Sequence, residues 1–153
     1  VENLLQLKDT TVLVIADGSS PRCGGLLAYY AKEVISIDPQ MKPEFITDKT
    51  MSNLSCYNNT IEEWLIEKKE LRINNPVYIV AVHAHVAFQN YLEPLMTCIN
   101  DQVPLLIFSI SCCQDLNITE EERQKFNLNT LEEYDDWSIH SPCRTVRRWT
   151  RNI

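Results

Sequence analysis

The sequence predicts an α/β protein, a three-layer sandwich on a mostly parallel sheet that closes with an antiparallel hairpin at its C-terminal end. Three observations carry this. Runs rich in Val, Ile and Leu alternate with segments of helical periodicity, as in strands joined by crossover helices. Those runs are continuously apolar, which suits strands covered on both faces. All three glycines of the 153 residues lie between Ala16 and Gly25, where one such run gives way to a helix.

Val1 to Asp9 reads as a lead-in with a helical turn around Leu4, Leu5 and Leu7. The first strand is Thr11 to Ala16. The glycine-bearing turn follows, then a helix from Gly24 to Lys32. Val34-Ile35-Ser36-Ile37 is a second strand, stopped by Asp38-Pro39 because Pro39 offers no ladder N–H. Pro43 to Thr47 reads as a weaker third strand ending at Asp48, and Met51 to Asn59 as a polar loop. Thr60 and Glu63 form a capping-box pair, and Ile61, Trp64, Leu65 and Leu71 share one helical face until Asn74-Asn75-Pro76. Val77 to Val82 is the fourth strand, running into His83-Ala84-His85. Phe88, Tyr91, Leu92, Leu95 and Ile99 fit an amphipathic helix that Pro94 kinks or starts. Leu105 to Ile110 is the fifth strand, running into Ser111-Cys112-Cys113. Thr119 to Glu133 reads as a solvated charged helix with a break near Asn127. Asp136 to His140 and Arg144 to Trp149 read as the closing hairpin around Ser141-Pro142-Cys143.

The length suits one domain over residues 1–153. A start at Val1 leads us to expect a processed chain or a domain excised from a longer one. A net charge of -7 argues against a free-standing nucleic-acid binder, while leaving room for a nucleic-acid substrate held with a partner. No apolar run is long enough for a membrane span. The six cysteines lack the regular spacing of a secreted scaffold, so the thiols are read as reduced and the location as intracellular. Sequons at Asn53, Asn58 and Asn117 carry little weight.

In a parallel sheet the ligand lies beyond the carboxyl ends of the strands, at the point where strand order reverses. The candidate residues therefore follow each strand. Bare N–H groups in the turn from Asp17 to Gly25 would receive an anionic or carboxylate-bearing ligand, with Gly24 and Gly25 letting the helix start close to it. The bland alternative is a tight turn with nothing bound. Asp38 stands where a carboxylate accepts both hydroxyls of a ribose, or else it caps a loop. Asp48 would reach an adenine amino group, or cap a loop. His83 and His85 alternate at a strand end and should point to opposite faces, as a base, a substrate contact or structural histidines. His-x-His with a distant Cys112-Cys113 has no zinc spacing, so no metal is expected. The cysteine pair is read as small residues packed beneath the cleft. Arg144, Arg147, Arg148 and Arg151 would touch phosphate or an acidic partner, or would guard a solvated edge strand.

On these residues the chain resembles the class I S-adenosylmethionine-dependent methyltransferases, which are Rossmann-like. Asp17-Gly18-Ser19-Ser20-Pro21-Arg22-Cys23-Gly24-Gly25 resembles their first motif, closest to the Gly-x-x-Pro-Gly-Gly version of RNA ribose methyltransferases. Arg22-Cys23 stands as an insertion in it. Val82-His83-Ala84-His85 and Ser109-Ile110-Ser111-Cys112-Cys113 resemble a subgroup of RNA methyltransferases with His-Ala after strand four and Cys-Cys after strand five. No Asp-Pro-Pro-Tyr signature and no Lys-Asp-Lys-Glu set is present. The resemblance implies S-adenosylmethionine as cofactor. Asp17, Gly18, Ser19, Pro21, Gly24 and Gly25 would hold its methionine part, Asp38 its ribose and Asp48 its adenine side. It implies His83 or His85 beside the transferred methyl, RNA as substrate contacted by Arg144, Arg147 and Arg148, and a protein partner or further domains that complete recognition. The alternative is a catalytically silent module of the same fold that serves as a protein-interaction or structural subunit.

Overall fold

A computed structural model of the chain describes residues 4–111, 113, 116–140 and 142–151. Cys112 and Ser141 lie outside the described residues. A 3-10 turn, Leu4–Asp9, leads into β1, Thr11–Ile15, whose five residues are all buried. Such a run can be satisfied only by neighbours on both edges and layers on both faces. Both are present. β2 (Glu33–Ile37) and β4 (Val77–Val82) flank β1 in parallel, and β5 (Leu105–Ile110) extends the sheet beside β4. With β3 (Leu54–Tyr57), β6 (Asn129–Asp135) and β7 (Thr145–Arg151), the order is β3-β2-β1-β4-β5-β7-β6, so it reverses between β1 and β4.

The two faces of β1 enter different layers. Leu13 and Ile15 join Trp64 and Leu65 of α3 (Ile61–Glu67) and Leu92 and Leu95 of α4 (Leu92–Thr97) in the larger core. Val12 and Val14 meet Leu27 and Ala28 of α1 (Arg22–Ala28), with Leu7 of the 3-10 turn. The expected capping box is present in α3: Thr60 Oγ1 accepts from Glu63 N, and the Glu63 carboxylate accepts from Thr60 N. Pro94 lies inside α4, which follows a short 3-10 turn at Phe88–Asn90.

Four expectations need correction. α1 starts at Arg22 and stops at Ala28, earlier at both ends than expected. The third strand is Leu54–Tyr57 (β3), parallel to β2, whereas Pro43–Thr47 is a short helix, α2. Pro43 opens that helix, where its missing N–H is no loss, and Lys42 before it is extended. β3 is an edge strand with only Cys56 buried. It is anchored at its start by Asn53, whose Nδ2 donates to the carbonyls of Ala28 and Ala31 at 2.7 and 3.0 Å. The closing hairpin pairs β6 (Asn129–Asp135) with β7 (Thr145–Arg151), so its first strand lies upstream of Asp136–His140. The helical part of the charged stretch is Glu120–Lys125 alone (α5), capped by Thr119 and Glu122. Charge fixes the hairpin: Arg147 pairs with Glu133 at 3.1 Å and Arg148 with Glu132 at 2.9 Å. β7 runs antiparallel to β5, and Trp149 on it packs edge-on against Phe88 with ring centroids 5.8 Å apart. Among the described residues no helix is long and apolar enough to cross a membrane.

Candidate cofactor cleft

A cleft of about 550 Å³ opens at the carboxyl ends of β1, β2 and β4, where the strand order reverses. Ala16, Asp17 and Gly18 line it from β1, Asp38, Pro39 and Gln40 from β2, and His83 and His85 from β4. Thr60, Ile61 and Glu62 at the start of α3 and Val82 and Val86 complete the wall. Its volume is within the about 300–1,000 Å³ of small-molecule sites.

The backbone around it is bent in a specific way. Ala16 has φ 61°, Gly18 φ 85° and His83 φ 53°. Ala16 N still donates to Ile37 O at 2.8 Å, and His83 N to Ile110 O at 3.0 Å. Each ladder thus continues one residue past its strand before the chain turns over the sheet edge. A left-handed conformation costs a residue with a Cβ about 1–2 kcal/mol, and such outliers gather at functional sites.

Asp38 is buried at the cleft floor. Its Oδ2 accepts from Gly18 N at 2.8 Å and its Oδ1 from Gln40 N at 2.7 Å. One carboxylate thereby holds the turns after β1 and β2 together. Each oxygen keeps a second lone pair for a ligand hydroxyl.

Asp17 works differently from expectation. Its Oδ1 accepts from Cys23 N at 2.9 Å, and its Oδ2 from Gly24 N and Ser36 Oγ, both at 2.8 Å. Arg22 N donates to Ser20 O and Gly25 N to Pro21 O. The four N–H groups at the start of α1 are therefore not bare. The anion at this helix terminus is the protein's own carboxylate. Burial raises the Asp17 pKa, against the lowering by its three hydrogen bonds. Gly24 is the glycine that this arrangement demands, since a Cβ there would lie 2.8 Å from Asp17 Oδ2 and 3.1 Å from Ser36 Cβ.

The remaining candidates are scattered. Ser19 is exposed, and its carbonyl accepts from Lys42 N. Pro21 and Gly25 face a separate hollow of about 350 Å³ with Tyr29, Phe45 and Met51. Asp48 lines that hollow too, not the cleft, because it ends α2 and not a strand. Its exposed Oδ1 accepts from Thr50 N and Oγ1, bonds that hold its pKa below the ordinary value. Sequence reasoning did not single out Gln40 or Glu62 as cleft residues. The Thr60-x-x-Glu63 box was the available signal for Glu62, because it fixes where α3 begins.

His83 and His85 line the same cleft, where opposite faces were expected. The positive φ at His83 breaks the alternation. His85 Nδ1 lies 3.0 Å from Cys113 Sγ. Cys113 is exposed at the rim and not packed beneath the cleft. We expect a short iodoacetamide pulse to label Cys113 ahead of Cys23, whose thiol burial and the Asp17 charge push up to about 11. Peptide mapping reads the order, and prior labelling of Cys23 would contradict it.

The basic cluster separates into different roles. Arg147 is buried, donates from its Nη1 to Ser111 Oγ at 3.1 Å and pairs with Glu133. Arg148 pairs with Glu132, and the buried Arg151 with Asp101. The pairing commits the charge of Arg147 and Arg148 to the hairpin. Arg144 instead lies over the ring of Trp137, 3.7 Å from its centroid. Among the described residues, no three or more His, Cys, Asp or Glu side chains come together as a metal site.

No protein-family model and no curated protein sequence matches the chain. Solved structures do. An rRNA methylase from Streptococcus thermophilus superposes over 99% of this chain and 93% of its own, with TM-score 0.56 at 12% identity. The N-methyltransferase NodS from Bradyrhizobium japonicum superposes over 99% and 94%, with TM-score 0.58 at 14% identity. The chain has the Rossmann-like fold of class I methyltransferases. A Streptococcus mutans protein of this methyltransferase fold, solved in complex with SAH, covers 98% of the chain and 93% of its own at TM-score 0.52 and 12% identity. At such identities the likeness concerns the fold.

Proposed function

We propose that the chain is an S-adenosylmethionine-dependent methyltransferase that acts on RNA. The observation that carries the reading is Asp38, a buried carboxylate closing β2 at the switch-point cleft, hydrogen-bonded to the turn after β1. The nucleoside half of the cofactor fits the residues present. Asp38 would take the ribose hydroxyls, and Ile37, Pro39 and Ile61 give an apolar wall with Thr60 and Glu62 as polar ends for the base. The methionine half would lie toward Ala16, Gly18 and the two histidines, since the first turn of α1 is already occupied by Asp17. S-adenosylmethionine supplies a methyl group activated on a sulfonium. The protein's task is to orient donor and acceptor, exclude water and hold a proton. With His85 Nδ1 engaged by Cys113, its Nε2 is the nitrogen for the acceptor's proton. RNA as acceptor is supported by the His-Ala and Cys-Cys resemblance and by the rRNA methylase of the same fold.

The test is transfer of a labelled methyl from S-adenosylmethionine to total RNA, with total protein as a parallel acceptor. Label in RNA that is lost with RNase is expected. Label in protein alone would contradict RNA as acceptor.

A second reading has its own observation. Leu26 on α1 and Tyr29 just after it are 62% and 77% exposed, apolar surface of the kind that partners cover. A silent, partner-binding module would carry such a patch and bind no cofactor.

A further inference from the structure

Trp137 is 73% exposed although it is a large aromatic side chain. One face carries the Arg144 guanidinium at 3.7 Å, so its exposure belongs to the other. Arg144 differs from its neighbours in the basic cluster. Arg147, Arg148 and Arg151 spend their charge on Glu133, Glu132 and Asp101, whereas among the described residues Arg144 forms no ion pair. The pair is also held in place. Asp136 N donates to Arg144 O at 3.1 Å, and the Asp136 carboxylate accepts from Ser138 N and Oγ.

Its position is informative. β6 and β7 close on each other at Asp135 and Thr145, and Thr145 O accepts from Ser111 N at 3.1 Å, at the end of β5. Two residues on, Cys113 meets His85 of the cleft. Trp137 and Arg144 thus stand on the same sheet edge as the cleft. β7, which follows Arg144, is two strand spacings from β4, and β6, which leads to Trp137, is three, about 10 and 15 Å.

From this geometry we infer that Trp137 and Arg144 form a stacking platform for one base of a single-stranded RNA acceptor. The inference rests on the RNA reading above and deepens it. An indole face stacks any base, and a guanidinium behind it adds cation–π character and charge for the adjoining phosphate. A base on Trp137 and a reacting group near His83 would belong to nearby nucleotides of one strand. In a chain of net charge -7, the one arginine of this cluster kept out of ion pairs is placed where a phosphate would pass.

The other two tryptophans, Trp64 and Trp149, are buried, so a change in emission on ligand binding reports on Trp137. The experiment titrates the protein with a fluorescein-labelled single-stranded RNA decamer, following anisotropy, and with the unlabelled decamer, following tryptophan emission. Trp137→Ala, Trp137→Phe and Arg144→Ala are measured beside it. We expect RNA to quench the emission of the wild type. Trp137→Ala should weaken binding roughly 5- to 150-fold, and Trp137→Phe should restore most of the loss. Arg144→Ala should weaken binding and flatten its salt dependence. RNA binding of unchanged affinity in Trp137→Ala would overturn the platform and leave the RNA reading standing. No binding of RNA by the wild type would overturn both.

Discussion

Asp17→Ala should lower the stability of the fold by about 2–4 kcal/mol, the largest effect expected of any single cleft residue. Its carboxylate accepts three hydrogen bonds, from Cys23 N, Gly24 N and Ser36 Oγ. Hydrogen bonds to a charged group contribute about 1.5–3 kcal/mol each, and loss of a helix cap about 0.5–2 kcal/mol. Relief from burying a carboxylate offsets part of the sum. For a chain of this length the melting temperature should fall by roughly 5–15 °C, read by circular dichroism. Gly24→Ala attacks the same contact from the other side and should cost about 1–3 kcal/mol by overpacking. The sign of the pH dependence follows from burial, which raises the Asp17 pKa in the fold. The folded state then binds this proton more tightly than the unfolded chain does. The stabilisation from protonation is complete below about pH 4 and is lost as pH rises through the raised value. The stability gap between the wild type and Asp17→Asn should therefore widen as the pH is lowered. A gap that narrows on acidification would show the hydrogen bonds to outweigh burial.

Asp38→Ala should weaken S-adenosylmethionine binding by roughly 100-fold or more, if the ribose lies where we propose. Two things go at once. The ligand loses its charged acceptor, worth about 1.5–3 kcal/mol per hydrogen bond. The turn at Gly18 also loses the bond that ties it to β2. Asp38→Asn keeps one oxygen for Gly18 N and should fall between the two. Equilibrium dialysis against labelled cofactor gives the ratios. Equal affinity in wild type and Asp38→Ala would place the ribose elsewhere.

The central strands were legible because burial on both faces leaves a continuous apolar run. Thr11–Ile15 shows it, with all five residues buried. The edges were not legible, for the complementary reason. Leu54–Tyr57 buries one side chain, and every residue of Asn129–Asp135 is exposed. The acidic composition of β6 suits a solvated helix when read alone. Only its pairing with Arg147 and Arg148 makes it a strand, and pairing is not written in a local window. At the cleft, Gly18 and Asp38 were readable from position at strand ends. Asp17 was not, because its side chain turns inward to its own helix. The shared cleft of His83 and His85 depends on the φ of 53° at His83, for which a non-glycine residue gives little local sign.

The proposed cofactor site is the cleft between Gly18, Asp38 and His83. Calorimetric titration of the wild-type protein with S-adenosylmethionine and S-adenosylhomocysteine tests it most directly. One site of micromolar affinity is expected for each ligand. A well-folded sample that gives no binding with either would contradict it and leave the fold as a partner-binding module.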